Sequence, residues 1–151
     1  MKANVYSHRF GDKVVPSSLL EEIVGAVADC AIAPQQGSSK SIKSAILDAL
    51  VSHGWPGKVG LDIMSRISIS SLKDKVGLCF QTGNMGRMYA DLIKLQTLYL
   101  RGTIDAGVFI VPETRCAKLL GENIADCGRL LRELPIFDRA ITVPLAVIGI
   151  E

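Results

Sequence analysis

Between residues 40 and 101 nine Lys and Arg side chains face only four Asp and Glu, a formal charge of +5. Within this stretch Lys43, Lys58, Lys73 and Arg87 are the candidate contacts to a phosphate backbone. Positive charge gathered in one region is the electrostatic footprint of a nucleic-acid partner. The flanks are slightly acidic, −1 over residues 1–39 and −2 over residues 102–151, and the whole chain carries only +2. A solvated face would carry the same charge, so the balance alone does not choose between the two.

Other reactive side chains fall into no working pattern. The cysteines at 30, 79, 116 and 127 form no Cys-x-x-Cys pair, which argues against a zinc ribbon or a dithiol redox centre. Their apolar neighbours predict buried, reduced thiols. His8 and His53 have no partner at metal or triad spacing, and no Ser-His or Cys-His arrangement is legible. Gly83-x-x-Gly86 lacks both the spacing and the lysine of a phosphate loop.

The elements that must position these residues follow from periodicity. Leu20, Ile23, Val24 and Val27 recur at helical spacing from Ser17 to about Cys30, with Ser18 and Glu21 as a capping box. After the loop at residues 34–39, Ile42, Ala45, Ile46, Ala49 and Leu50 predict a second helix closing at His53-Gly54. Alternation then predicts strands over 58–64, 66–72 and 75–81, the first carrying Asp62. Met85, Met88, Tyr89, Leu92, Leu95 and Tyr99 form one helical stripe ended by Gly102, with Asp91 and Lys94 read as a solvated pair on its surface. The apolar run 104–111 completes a βαβ unit, so its two strands should be parallel. A helix over 124–134 and a strand over 141–150 follow, Pro144 arguing for an edge position. The expected class is α/β, a mixed central sheet flanked by helices.

With 48% hydrophobic residues and a length of 151, the chain suits one domain spanning 1–151. No apolar run approaches the ~20 residues of a membrane span, and residues 1–10 lack the apolar block of a secretory signal. A soluble, cytoplasmic protein is expected.

Gly54-Trp55 is followed by Val76-Gly77-Leu78-x-Phe80-Gln81-x-Gly83-Asn84, then Tyr89-Ala90-Asp91-Leu92-x-Lys94-Leu95-Gln96, then Ile104-Asp105-x-Gly107-Val108-x-Ile110-x-Pro112. In these words and their order, residues 17–112 resemble the BglII and BstYI family of restriction endonucleases. The resemblance implies a restriction-endonuclease-like PD-(D/E)XK core, double-stranded DNA as partner and a homodimer, since such enzymes read palindromes about a twofold axis. It also implies Mg²⁺ held by an Asp and by a Glu nine residues later, with Lys or Gln two residues beyond. Asn84 matches a position that reaches base edges, where an asparagine can pair with adenine. A simple helix cap is the alternative.

This chain departs from that pattern. Gln81 stands at the Gln position, but Cys79 stands at the Glu position and Ser70 at the Asp position. A thiol and a neutral hydroxyl are poor ligands for a hard cation. Asp62 with Glu22 is the candidate replacement pair. Three readings stay open: a DNA-binding protein with a degraded Mg²⁺-dependent phosphodiesterase centre, an active endonuclease using the displaced carboxylates, and a protein-interaction module without DNA contact.

Overall fold

The computed structural model describes residues 1–151. Strand β1 (Ala3–His8) and the single-turn helix α1 (Gly11–Val14) lead into helices α2 (Ser17–Ala28) and α3 (Ser39–Ser52). Short strands β2 (Val59–Gly60), β3 (Ser68–Ile69) and β4 (Ser71–Lys73) precede β5 (Val76–Phe80). Helix α4 (Met85–Leu100), strand β6 (Ala106–Pro112), helices α5 (Thr114–Leu120) and α6 (Cys127–Glu133), and strand β7 (Leu145–Ile150) complete the order.

The main sheet runs β1-β7-β6-β5-β4, and β2 with β3 forms a separate two-stranded ribbon. β5, β6 and β7 are parallel, while β1 and β4 pair antiparallel at the two edges. All residues of the three parallel strands are buried, as expected where helices cover both faces. Alternation sorts their side chains. Leu78, Phe80, Val108, Ile110, Ala146 and Ile148 pack with Ile23, Ile42 and Ile46 from α2 and α3. Cys79, Phe109 and Val147 pack on the opposite face with Met88, Leu92 and Leu95 from α4 and Leu130 from α6.

Two glycines let α4 approach the sheet. A Cβ at Gly107 would lie 2.7 Å from Leu145 Cδ2 and 3.2 Å from Leu95 Cδ1, and one at Gly77 would lie 2.9 Å from Leu95 Cδ2. Leu95 therefore seats in space that any larger residue on the strands would fill.

The structure bears out the β5-α4-β6 crossover, the first two long helices and the mixed sheet. It also corrects several expectations. No side-chain cap forms at α2; the carbonyl of Pro16 instead accepts from the Leu19 and Leu20 N–H groups. The strand expected over 58–64 shrinks to Val59–Gly60, and Asp62 lies in the loop beyond it. The last strand begins only at Leu145 and is interior, with β6 and β1 on either side. Gln96 explains the shortening: its Oε1 accepts from the backbone N–H of Thr142 at 2.8 Å and of Val143 at 2.9 Å. Those donors are withdrawn from any ladder, and Pro144 has none to offer. Strand β1 and helices α1 and α5 were not anticipated. All four cysteines are buried with free thiols.

Candidate functional site

A cleft of about 400 Å³ opens where α3, α4 and the ends of β3 and β5 converge. Four cations line it: Lys43 from α3, Lys58 before β2, and Arg87 and Lys94 from α4. Asp91 is the one carboxylate in the lining, so the cleft is strongly positive.

Gln81, immediately after β5, organises the floor. Its backbone N–H donates to the Ile110 carbonyl at 2.9 Å, which fixes it beside β6. Its Oε1 accepts from the Gly83 N–H at 2.9 Å, and its Nε2 donates to Asp91 Oδ2 at 2.9 Å. Asp91 Oδ1 in turn accepts from Lys94 Nζ at 2.7 Å. Asp91 is only 8% exposed. The solvated pair expected on α4 is thus a buried carboxylate, held on one side by an amide and on the other by an ammonium. The signal was present in the sequence: Asp91 falls between Met88 and Leu95 at the 3–4 spacing of the buried stripe.

Ser70 stands between β3 and β4, and Cys79 within β5. The Ser70 N–H donates to the Leu78 carbonyl, and its Oγ accepts from the Phe80 N–H at 3.0 Å, so Ser70 bridges β3 and β4 to β5. Ser70 lines the cleft. Cys79 lies behind the lining, 1% exposed, with its Sγ 3.8 Å from the Asp91 carbonyl. Burial pushes the thiol far above the ordinary range, and the Asp91 carboxylate adds to the effect. Cys79 is a neutral thiol.

The remaining candidates divide into two groups. Lys43 reaches the Phe80 carbonyl and lies 5.8 Å from the Phe80 ring centroid. Burial lowers its pKa, and the neighbouring Asp91 carboxylate partly opposes that. Lys58 and Arg87 are exposed at the cleft. Asn84, also exposed, caps α4 by accepting from the Gly86 N–H at 2.7 Å. Lys73 is not part of the cleft: its ammonium contacts Glu22 at 2.8 and 2.9 Å and the His53 carbonyl at 2.6 Å. Glu22 also accepts from Trp55 Nε1 at 2.8 Å. Asp62 Oδ1 accepts from the N–H groups of Met64 at 2.7 Å and Ser65 at 3.0 Å. No contact joins Asp62 to Glu22.

A hard divalent cation asks for several oxygen donors, carboxylates foremost. The cleft offers one carboxylate, with both oxygens already engaged and an ammonium on one of them. Every buried side-chain nitrogen and oxygen in the chain has a hydrogen-bond partner, so none is left orphaned to await an ion. No cluster of three or more His, Cys, Asp or Glu side chains is placed to share a metal ion. The donor set does not fit Mg²⁺. It fits an anion.

The sequence model of the family described as restriction endonuclease BglII/BglIII matches residues 3–150. Among solved structures, restriction endonuclease BglII complexed with a DNA 16-mer superposes with a TM-score of 0.88 at 11% identity, covering 100% of this chain and 78% of that one. Free BglII superposes with a TM-score of 0.77 at 14% identity, covering 100% of this chain and 80% of that one. At these identities the likeness is one of fold. No curated protein matches the chain.

Proposed function

The chain belongs to the restriction endonuclease BglII/BglIII family, and from that premise we propose that it is a DNA-binding protein whose magnesium-dependent phosphodiesterase centre is degraded. One observation carries the reading. The cleft that holds Ser70 and Gln81 gathers four cations around a single, already paired carboxylate. Such a site attracts a phosphate backbone and repels the ion that cleavage in this family requires.

In this reading Lys58 and Arg87, both exposed, meet backbone phosphates and set the position of the duplex. Asn84 stands at the exposed start of α4, where backbone N–H groups already favour an anion. Its Oδ1 is committed to the cap, which leaves the Nδ2 donor for a base-edge acceptor. Gln81 does not act on a substrate; its amide orients Asp91. Lys73 supports the α2–β4 contact and is left out of the interface. A second copy related by a twofold axis would present two such clefts to a palindromic duplex, in the cytoplasm where such DNA is met.

Electrophoretic mobility shift with a mixed-sequence duplex, stepped through several salt concentrations, tests the proposal. Phosphate contacts from Lys58 and Arg87 should give a logarithmic salt slope of roughly −2 per bound chain. No shift at low salt would overturn the DNA-binding half. Discrete cleavage by the unaltered protein in Mg²⁺ or Mn²⁺ would overturn the degraded-centre half.

A further inference from the structure

In the proposed register the neutral Ser70 and Cys79 stand where the family pattern has carboxylates, while two ammonium groups line the same cleft as Ser70. Lys94 Nζ is fixed 2.7 Å from Asp91 Oδ1 and uses one of its three N–H donors there. Asp91 is itself fixed by Gln81, so Lys94 is anchored through α4 to the end of β5. Lys43 comes from the opposite wall, anchored at the Phe80 carbonyl and over the Phe80 ring. Both lysines line the cleft, together with Ser70 and Gln81. Two positioned monovalent cations thus occupy the region where the family pattern would place a divalent ion.

We infer that this cleft takes a backbone phosphodiester of duplex DNA directly on Lys94 and Lys43, without any divalent cation. The inference rests on the DNA-binding reading and deepens it. In a site built from two carboxylates, a bound metal offsets the repulsion between those carboxylates and an approaching phosphate. Here that repulsion is gone: the one carboxylate is paired, and the excess charge is already positive. Each lysine has N–H donors left for a phosphate oxygen, and a phosphodiester carries the single negative charge the pair can match. Added Mg²⁺ finds no ligands in the cleft. It acts only as a counterion that competes for the DNA, so its effect has the opposite sign from that of a cofactor.

Fluorescence anisotropy of a labelled mixed-sequence duplex, at constant ionic strength with EDTA or with millimolar Mg²⁺, tests this directly. Binding in EDTA should equal or exceed binding in Mg²⁺. Lys94→Gln and Lys43→Gln should each weaken binding by about tenfold and make the salt slope shallower by about one, while Lys94→Arg should keep most of the affinity. Circular dichroism reports whether each variant is folded, and the Lys43 variant stands in if the Lys94 variant is not. Loss of binding in EDTA, tenfold strengthening by Mg²⁺, or unchanged affinity in both glutamine variants overturns the inference while leaving DNA binding intact. Absence of binding under every condition overturns the DNA-binding reading, and this inference with it.

Discussion

Gln81 Nε2 donates to Asp91 Oδ2 across 2.9 Å, tying the end of β5 to the middle of α4 beneath the basic cleft. The same carboxylate holds Lys94, so a single buried group sets both the floor of the cleft and one of its cations. Replacing Asp91 by Ala strands the Gln81 amide donor in a site only 8% exposed. The expected loss is about 1–3 kcal/mol, read as a lower urea midpoint with an unchanged slope. Asp91→Asn, which keeps an oxygen acceptor, should lose less. Equal midpoints for Asp91→Ala and the unaltered protein would remove Asp91 from the structural account.

Ser70 and Cys79 test the register. Introducing Ser70→Asp together with Cys79→Glu places two carboxylates where the proposed register puts the metal-binding pair. Ser70 Oγ already accepts a hydrogen bond from the Phe80 N–H, a role a carboxylate can keep. The Cys79 change places a charge at a position 1% exposed and close to Asp91, so it should lower stability. Cleavage of duplex DNA at discrete sites in Mg²⁺ by the double variant, and not by the parent, is the expected result. Cleavage by the parent with no gain in the variant would place the reactive carboxylates elsewhere.

Lys43 should make DNA affinity sensitive to alkaline pH. Its pKa lies below the ordinary 10.5, chiefly because of burial, with the Asp91 carboxylate opposing the shift and Lys58 and Lys94 reinforcing it. As pH rises, Lys43 therefore loses its charge before a solvated lysine would, and attraction for phosphate falls. In Lys43→Arg the guanidinium stays charged throughout, so the decline should begin at a higher pH. Coincident pH profiles for the two proteins, measured by anisotropy, would exclude Lys43 from the interface.

Glu22 should stabilise the fold at neutral pH, and lose that contribution in acid, instead of binding a metal. Its pKa is held below the ordinary 4.5 by hydrogen bonding from Lys73, with Trp55 assisting and burial opposing. A carboxylate lowered in the folded state stabilises it fully above the unfolded value, and the contribution is lost as pH falls through the folded value. Thermal melting of Glu22→Gln should therefore show lower stability than the parent at neutral pH, with the gap closing below about pH 4.5. A constant gap across that range would contradict the assignment.

The long elements were legible because burial on one face leaves a period in the sequence. α2, α3 and α4 carry that period, and β5 and β6 are apolar throughout because helices cover both faces. The Gln-x-Gly-Asn word marks Gln81, which the structure puts on the floor of the cleft, with Ser70 in the lining and Cys79 behind it. Asp91 reads as solvated when only its i, i+3 pairing with Lys94 is weighed; its place between Met88 and Leu95 on the apolar stripe is the sequence signal of its burial. β1 escaped because an edge strand buries little: Val5 is 43% exposed, and the strand's anchors are hydrogen bonds such as Tyr6 to Glu113 at 2.9 Å. The early end of the predicted last strand has the same kind of cause, since Gln96 lies far along the chain from the Thr142 and Val143 donors it takes.

The pairing of β1 with β7 joins segments from opposite ends of the sequence, from Ala3 against Ile150 to His8 against Leu145. Closing so long a loop adds only about 0.6 kcal/mol for each doubling of its length, so the thermodynamic penalty is small. The consequence is one of timing. On a ribosome β1 emerges long before β7, and it has no strand to pair with until β7 has been made. Throughout elongation its N–H and C=O groups stand open to any other strand that passes, which is the hazard of slow, non-local sheets. A strand made early is among the last to find its place.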